Sequence, residues 1–268
     1  MNGDHIPRIP RRLCLTLLLT CALAAPAAAG GTEGAWRKAI DNRDDAGLAR
    51  LLEDAQAPVT ARGRHGVTAL MVAARAGSAP LVEQLLARGA RVEAERRGGA
   101  KALHYAAQGG HPQIIRRLVR AGAELNAPAA NGWTALTVAA ALGRAAAVDT
   151  LLEAGADPNR VDVYGWTPLM RAVDNAYPEA VRVLLSHPAV RLDLTDDAGM
   201  TALHHAARRG MDRLAVALLE HCANPRVRDQ NGFTPAILAR RTGHGKLAPL
   251  LGQQPSRCRP ASASFGKR

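Results

Sequence analysis

Residues 132–159 read GWTALTVAAALGRAAAVDTLLEAGADPN, and the fold turns on how this stretch divides. Apolar and polar residues do not alternate, which argues against a strand, and Gly143 and Gly155 interrupt any single long helix. Two short helices joined by a turn account for it. Thr134 is placed to cap the first, since its hydroxyl accepts from the free N–H groups of the opening turn. The alanines after it let neighbouring backbones approach closely. Gly143 ends that helix in a left-handed conformation. Val148, Leu151 and Leu152 then form the apolar stripe of a second helix, which Gly155 terminates.

The same unit recurs along the chain. Its glycine stands at Gly66, Gly99, Gly132, Gly165, Gly199 and Gly232, with spacings of 33, 33, 33, 34 and 33 residues. The seventh residue after it is always alanine (Ala73, Ala106, Ala139, Ala172, Ala206, Ala239), and the nineteenth is always leucine (Leu85, Leu118, Leu151, Leu184, Leu218, Leu251). Pro168 and Pro235 fall at the first helical position, where no N–H is missed. Gly77, Gly110, Gly210 and Gly243 match the turn glycine Gly143. Such a period marks a stacked array, in which each unit buries its apolar face against its neighbours.

The segments GWTPLM, TALHHAA and LLEAGADPN, together with the period of 33, resemble the ankyrin repeat. The resemblance covers about Ala35 to Leu251 and implies an all-α solenoid of helix pairs with β-hairpin fingers on one side. A degenerate first unit occupies 35–65, full units start near 66, 99, 132, 165 and 199, and a C-terminal cap spans 232–251. The cap is expected because Arg240 and Gly252 replace the alanine and leucine that would face a further unit. The fourth unit departs from the pattern, with Ala176 at the turn glycine and one extra residue before Gly199. A slight kink is the simplest consequence.

Upstream, Arg8, Arg11 and Arg12 precede an apolar run from Leu13 to Ala25 and the small residues Ala27, Ala28 and Ala29. That is the layout of a secretory signal peptide over residues 1–29, too short to span a bilayer comfortably. An uncleaved anchor and a twin-arginine signal are the alternatives. The expected location is periplasmic or secreted, as a monomer with no membrane contact after cleavage. Downstream, residues 252–268 form a basic tail with the composition of a disordered segment.

The 268 residues are 47% hydrophobic but only 3% aromatic, and carry a net charge of +12. From Asn224 onward nine lysines and arginines face Asp229 alone, so an acidic protein ranks as a partner for that end and nucleic acid is not expected. Neither a phosphate loop nor the HExxH, GxSxG or CxxC pattern occurs. His104 and His204 sit where the ankyrin pattern itself places a histidine, and His205, His221 and Cys222 make an incomplete metal set. No catalytic residue, cofactor or metal is therefore expected.

The resemblance implies a binding module, and in an exported bacterial protein a periplasmic protein partner. Proteins of this kind include ones that support periplasmic enzymes, catalase among them, in stress defence. An immunity protein against a periplasm-acting toxin and a redox protein using Cys222 and Cys258 are the alternatives. Cys222 stands where Gly89, Gly122 and Gly155 stand in other units. A side chain at that left-handed position costs about 1 kcal/mol, which a Cys222–Cys258 disulfide would offset. A buried free thiol at Cys222 is the alternative. Binding residues in the family combine finger tips with the exposed side of the first helices. Here these positions hold Trp133, Tyr164, Trp166, Met200 and Phe233, with Arg75, Gln108, Asp174, Arg208 and Arg241 alongside. Aromatics are the usual anchors of interfaces, although the tryptophans would alternatively pack against the next finger.

Overall fold

A computed structural model describes residues 29–252 and Cys258. The expected leader, apart from Ala29, and almost all of the tail lie outside these residues. The helices form pairs: α1 (Ala29–Asn42) with α2 (Asp45–Leu51), α3 (Ala69–Ala76) with α4 (Ala79–Ala87), and α5 (Ala102–Gly109) with α6 (Pro112–Arg120). There follow α7 (Ala135–Ala141) with α8 (Ala145–Glu153), α9 (Pro168–Asp174) with α10 (Pro178–Ser186), and α11 (Ala202–Arg208) with α12 (Asp212–Glu220). The short helices α13 (Pro235–Arg241) and α14 (Ala248–Leu251) close the array. The odd-numbered helices from α3 to α13 pack on one another in an inner row, and the even-numbered ones from α4 to α14 form an outer row.

All six alanines and all six leucines of the repeat pattern are 0% exposed. Alanine lets the inner helices meet with little between them, and leucine fills the space between the rows. Truncating such a leucine leaves a cavity worth about 2–5 kcal/mol. At the N-terminus, Trp36, Ile40, Leu48 and Leu52 are buried, and α2 seals the inner and outer rows by packing on α3 and α4.

Five inner helices begin under a threonine cap. Thr68, Thr134, Thr167, Thr201 and Thr234 each accept from the N–H three residues on, at 3.2–3.4 Å. Lys101 has no acceptor to offer, and His104 Nδ1 instead receives the Lys101 N–H. The Lys101 ammonium is held among Glu93, Glu124 and Glu95, at 2.6, 3.2 and 3.7 Å.

The β-hairpin fingers implied by the resemblance are reduced to turns. Among the described residues the only β-bridge is the isolated Arg62–Thr68 pair. Each finger from the 66 unit on is closed by two hydrogen bonds. In the 132 unit these run from Ala129 N–H to the Trp133 carbonyl and from Gly132 N–H back to the Ala129 carbonyl. A single bond then joins each finger to the next, such as Val163 N–H to the Asn131 carbonyl. One bond per junction does not make a ladder. The repeat glycine serves both steps: Gly132 has φ +78°, and a Cβ there would lie 2.8 Å from Asp162 Cα of the following finger.

The extra residue of the fourth unit is absorbed locally. Whereas α4, α6, α8 and α12 are followed by left-handed Gly89, Gly122, Gly155 and Cys222, α10 exits through an extended His187. The core register survives, since Leu184 and Leu218 on either side remain fully buried. Ala176 adopts φ +57° where its counterparts are glycine.

Cys222, at φ +71°, is exposed, which corrects the buried-thiol alternative. It is bonded to Cys258, with Cα atoms 5.2 Å apart.

Replacing Ala176 by glycine relieves the left-handed strain. The Ala176→Gly variant is expected to gain about 1 kcal/mol, read as a rise of about 2–4 °C in Tm. Unchanged or reduced stability would show that the turn carries no strain.

Candidate functional site

The fingers and inner helices of the 132, 165 and 199 units share one polar network. Its centre is Asp162, a fully buried carboxylate. Oδ1 accepts from the backbone N–H groups of Tyr164 and Trp166, at 2.9 and 3.1 Å, which shapes the finger. Oδ2 accepts from Trp133 Nε1 at 3.1 Å and from Arg171 Nε at 2.9 Å, with a second, shorter contact to the same guanidinium. The Arg171 guanidinium in turn lies over both tryptophans, 5.2 Å from the Trp133 ring and 4.4 Å from the Trp166 ring. One carboxylate and one guanidinium thus tie two consecutive fingers together.

The next unit repeats the device with an imidazole in place of the guanidinium. Asp196 shapes its finger through Ala198 and Met200 N–H groups, and its Oδ2 pairs with His205 Nε2 at 2.9 Å. His205 packs against Trp166, with ring centroids 4.2 Å apart. Its other nitrogen faces Arg208 at 3.2 Å and Asp174 at 3.8 Å. Asp174 binds Arg208 and Arg209 at 3.3 and 3.2 Å. These outer pairs are partly solvated and each contributes at most about 1 kcal/mol. The buried Asp162–Arg171 contact matters far more.

This network reassigns the aromatic row. Trp133 and Trp166 are half-buried, with their faces and the Trp133 N–H already engaged, so they are not free anchors. Phe233 is half-buried beneath the exposed Arg241, whose guanidinium lies 4.5 Å from the ring. Met200 is half-buried in its finger. Asp174 and Arg208 pair with each other. Gln108 is half-buried, with its carbonyl accepting from Arg144, and Arg75 lies at the opposite end of the inner face. Tyr164 alone among the named aromatics projects into solvent, at 63% exposure.

Asp162, Arg171 and Asp196 are absent from the sequence expectation, and His205 entered it only as part of an incomplete metal set. A signal for them exists. Six residues after the repeat glycine the chain carries Val72, Tyr105, Val138, Arg171, His205 and Leu238, and only Arg171 and His205 have nitrogen-bearing side chains. An aspartate three residues before the same glycine occurs in those two units, and again as Asp229.

His104 and His204 take structural positions. Each Nε2 reaches the carbonyl of the following finger, Trp133 or Phe233, at 3.1 Å. Each Nδ1 receives the N–H of its own cap residue. That pattern requires the neutral ring. Burial pushes the pKa of His104, His204 and His205 below the ordinary imidazole value. Among the described residues no cluster of His, Cys, Asp and Glu is arranged to hold a metal ion, and no helix is long and apolar enough to cross a membrane.

Two predictions follow from the network. Asp162→Ala leaves the guanidinium unpaired and the finger unshaped, and is expected to cost about 2–3 kcal/mol in urea unfolding. Asp162→Asn, which keeps an acceptor for the finger, should cost less. The histidines give a pH dependence. Their folded pKa values lie below the unfolded value of about 6.5, so the unfolded chain binds more protons below that pH. Stability is therefore full above pH ~6.5 and lost as pH falls through it. Replacing His104 and His204 by Thr and Met, the residues at this position in Thr137 and Met170, should flatten the decline.

Comparison with known proteins places this geometry. A family model described as ankyrin repeats (3 copies) matches residues 37–129, 70–162, 103–196 and 189–259. The 26S proteasome non-ATPase regulatory subunit 10 of Dictyostelium discoideum is 33% identical over 72 residues, 26% of this chain and 31% of that protein. The human 2-5A-dependent ribonuclease is 36% identical over 78 residues, 29% of this chain and 10% of the enzyme. This chain therefore spans less than a third of either relative, and its likeness to the enzyme lies in repeats. The crystal structure of the ankyrin repeat domain of Bcl-3, a member of the IkappaB protein family, superposes with a TM-score of 0.68 at 28% identity, covering 80% of this chain and 97% of that domain. The chain belongs to the ankyrin-repeat family, whose arrays are protein–protein interaction modules.

Proposed function

We propose that this chain is an exported interaction module that binds a periplasmic protein through the finger at Tyr164, in support of a stress-defence enzyme. One observation carries the binding surface. Of the seven large hydrophobic side chains exposed among the described residues, Val161, Val163 and Tyr164 occur within four residues, at 48, 55 and 63% exposure. They surround Asp162, whose carboxylate and Arg171 hold the finger rigidly. Exposed apolar groups on a rigid base lose little entropy on binding, which is what an interface anchor needs. The Cys222–Cys258 disulfide fits an oxidising compartment, in line with the leader expected over residues 1–29.

The test has two parts. Protein recovered from the periplasm should begin at or near Gly30 and show no titratable thiol when denatured without reductant. Full-length protein in the cytosol overturns the compartment. Capture from periplasm should then weaken by about tenfold or more in Tyr164→Ser, since the Tyr164 side chain takes no part in the clamp. A folded variant that retains the same partner at full affinity removes this finger from the interface.

A further inference from the structure

A second feature lies at the other end of the inner face. A cavity of about 450 Å³ opens between the first three units, between the α1–α2 turn and the fingers at His65 and Arg96. Arg43, Arg64, Arg75 and Arg96 line it, against one carboxylate, Asp41. Asp41 is already committed to Arg64: it accepts from the Arg64 N–H at 2.6 Å and lies 3.6 Å from the Arg64 guanidinium. Among the described residues no carboxylate pairs with Arg43, Arg75 or Arg96. Arg96 is steered by donating to the Arg97 carbonyl at 2.9 Å and to the Tyr105 hydroxyl at 3.3 Å. Val67 and Val72 add apolar surface to the same wall.

The backbone supplies an independent observation. Only four non-glycine residues among those described have positive φ, and two of them, Arg43 and His65 at +57° each, line this cavity. Arg43 stands at the turn position that is glycine in most later units, so a glycine there would remove the strain. The chain instead places a guanidinium. Ala176 takes the same conformation at the same turn, so what distinguishes Arg43 is the guanidinium it brings to the recess.

We propose that this cavity is a docking site for an acidic segment of the partner protein, one that alternates carboxylates with aliphatic side chains. The proposal rests on the protein-binding reading and adds the partner's chemistry. Arginines present planar, bidentate donors that match carboxylates, and several converging in one recess reinforce one another's field. The valines accept the aliphatic residues between. The volume lies in the range of ligand pockets, large enough for side chains and too small for a folded domain. The surface complementary to it is a short acidic stretch.

The probe is a fluorescein-labelled peptide alternating glutamate and leucine, with a glutamine–leucine counterpart, followed by fluorescence anisotropy on the full chain. The glutamate peptide is expected to bind and the glutamine one to bind at least about tenfold more weakly. Arg75→Gln/Arg96→Gln should weaken the glutamate peptide by about tenfold or more, and Arg75→Lys/Arg96→Lys by less. Arg191→Gln/Arg213→Gln, which removes the same charge from exposed positions in later units, should leave binding unchanged. Circular dichroism checks folding, and Arg75→Gln alone, whose side chain makes no hydrogen bond among the described residues, serves if the double variant does not fold. Equal loss in the two double variants assigns binding to net charge and overturns the proposal. So does equal binding of the two peptides, or their displacement by a single-stranded oligonucleotide that binds more tightly. Tyr164→Ser leaves the cavity intact, so this proposal and the finger interface fail separately.

Discussion

A helix pair of about thirty residues has too little apolar surface to fold alone, and the contact between neighbouring inner helices removes that limit. It is made largely by small buried residues, among them Ala73, Ala106, Ala139, Ala172, Ala206 and Ala239. Anything larger there would push the helices apart and open the leucine layer behind them. Because every unit depends only on its neighbours, irregularities remain local. The fourth unit takes in an extra residue and an alanine in a left-handed turn while its leucine stays buried.

The fingers depend on that stack for their spacing. The stacked helices hold successive turns close enough for a single backbone hydrogen bond per junction, and glycine suits the positive φ of each turn, with the next finger passing within 3 Å of where a Cβ would lie at Gly132, Gly165 and Gly199. In the central units the side chains add what the sparse backbone bonding lacks. Asp162 and Arg171 bind both fingers through two tryptophans, and Asp196 with His205 continue the device. The burial of Asp162 makes this contact strong and also makes it indispensable, since neither charge tolerates losing the other.

The inner face is consequently uneven. Its centre is rigid and internally neutralised, with apolar side chains at the tip of one finger. Its N-terminal end is a recess of arginines with few acidic counterparts. Net charge concentrated at the C-terminus of the sequence suggested acidic partners there. The folded chain also gathers Arg43, Arg64, Arg75 and Arg96, separated by up to 53 residues, around one cavity. Stacking turns a 33-residue periodicity into adjacency, so cations thinly spread along the chain become a patch.

The helix pairs, their caps and the turn glycines were legible in the sequence because each is a local requirement. A threonine caps its own helix, a glycine serves its own turn, and alanine recurs wherever a backbone must approach another. Ala176 was visible as a departure for the same reason. The roles of the tryptophans were not, because exposure of a finger residue depends on what the next unit places beside it. Trp133 is occupied by Asp162 and Arg171, 29 and 38 residues away, whereas Tyr164, in the same finger as Asp162, has nothing folded over it. Reduction of the hairpins to turns was equally hidden, since it depends on how many hydrogen bonds adjacent fingers can make. Sequence periodicity determined that these residues would be neighbours; only the packed geometry decided which of them satisfied one another and which were left facing solvent.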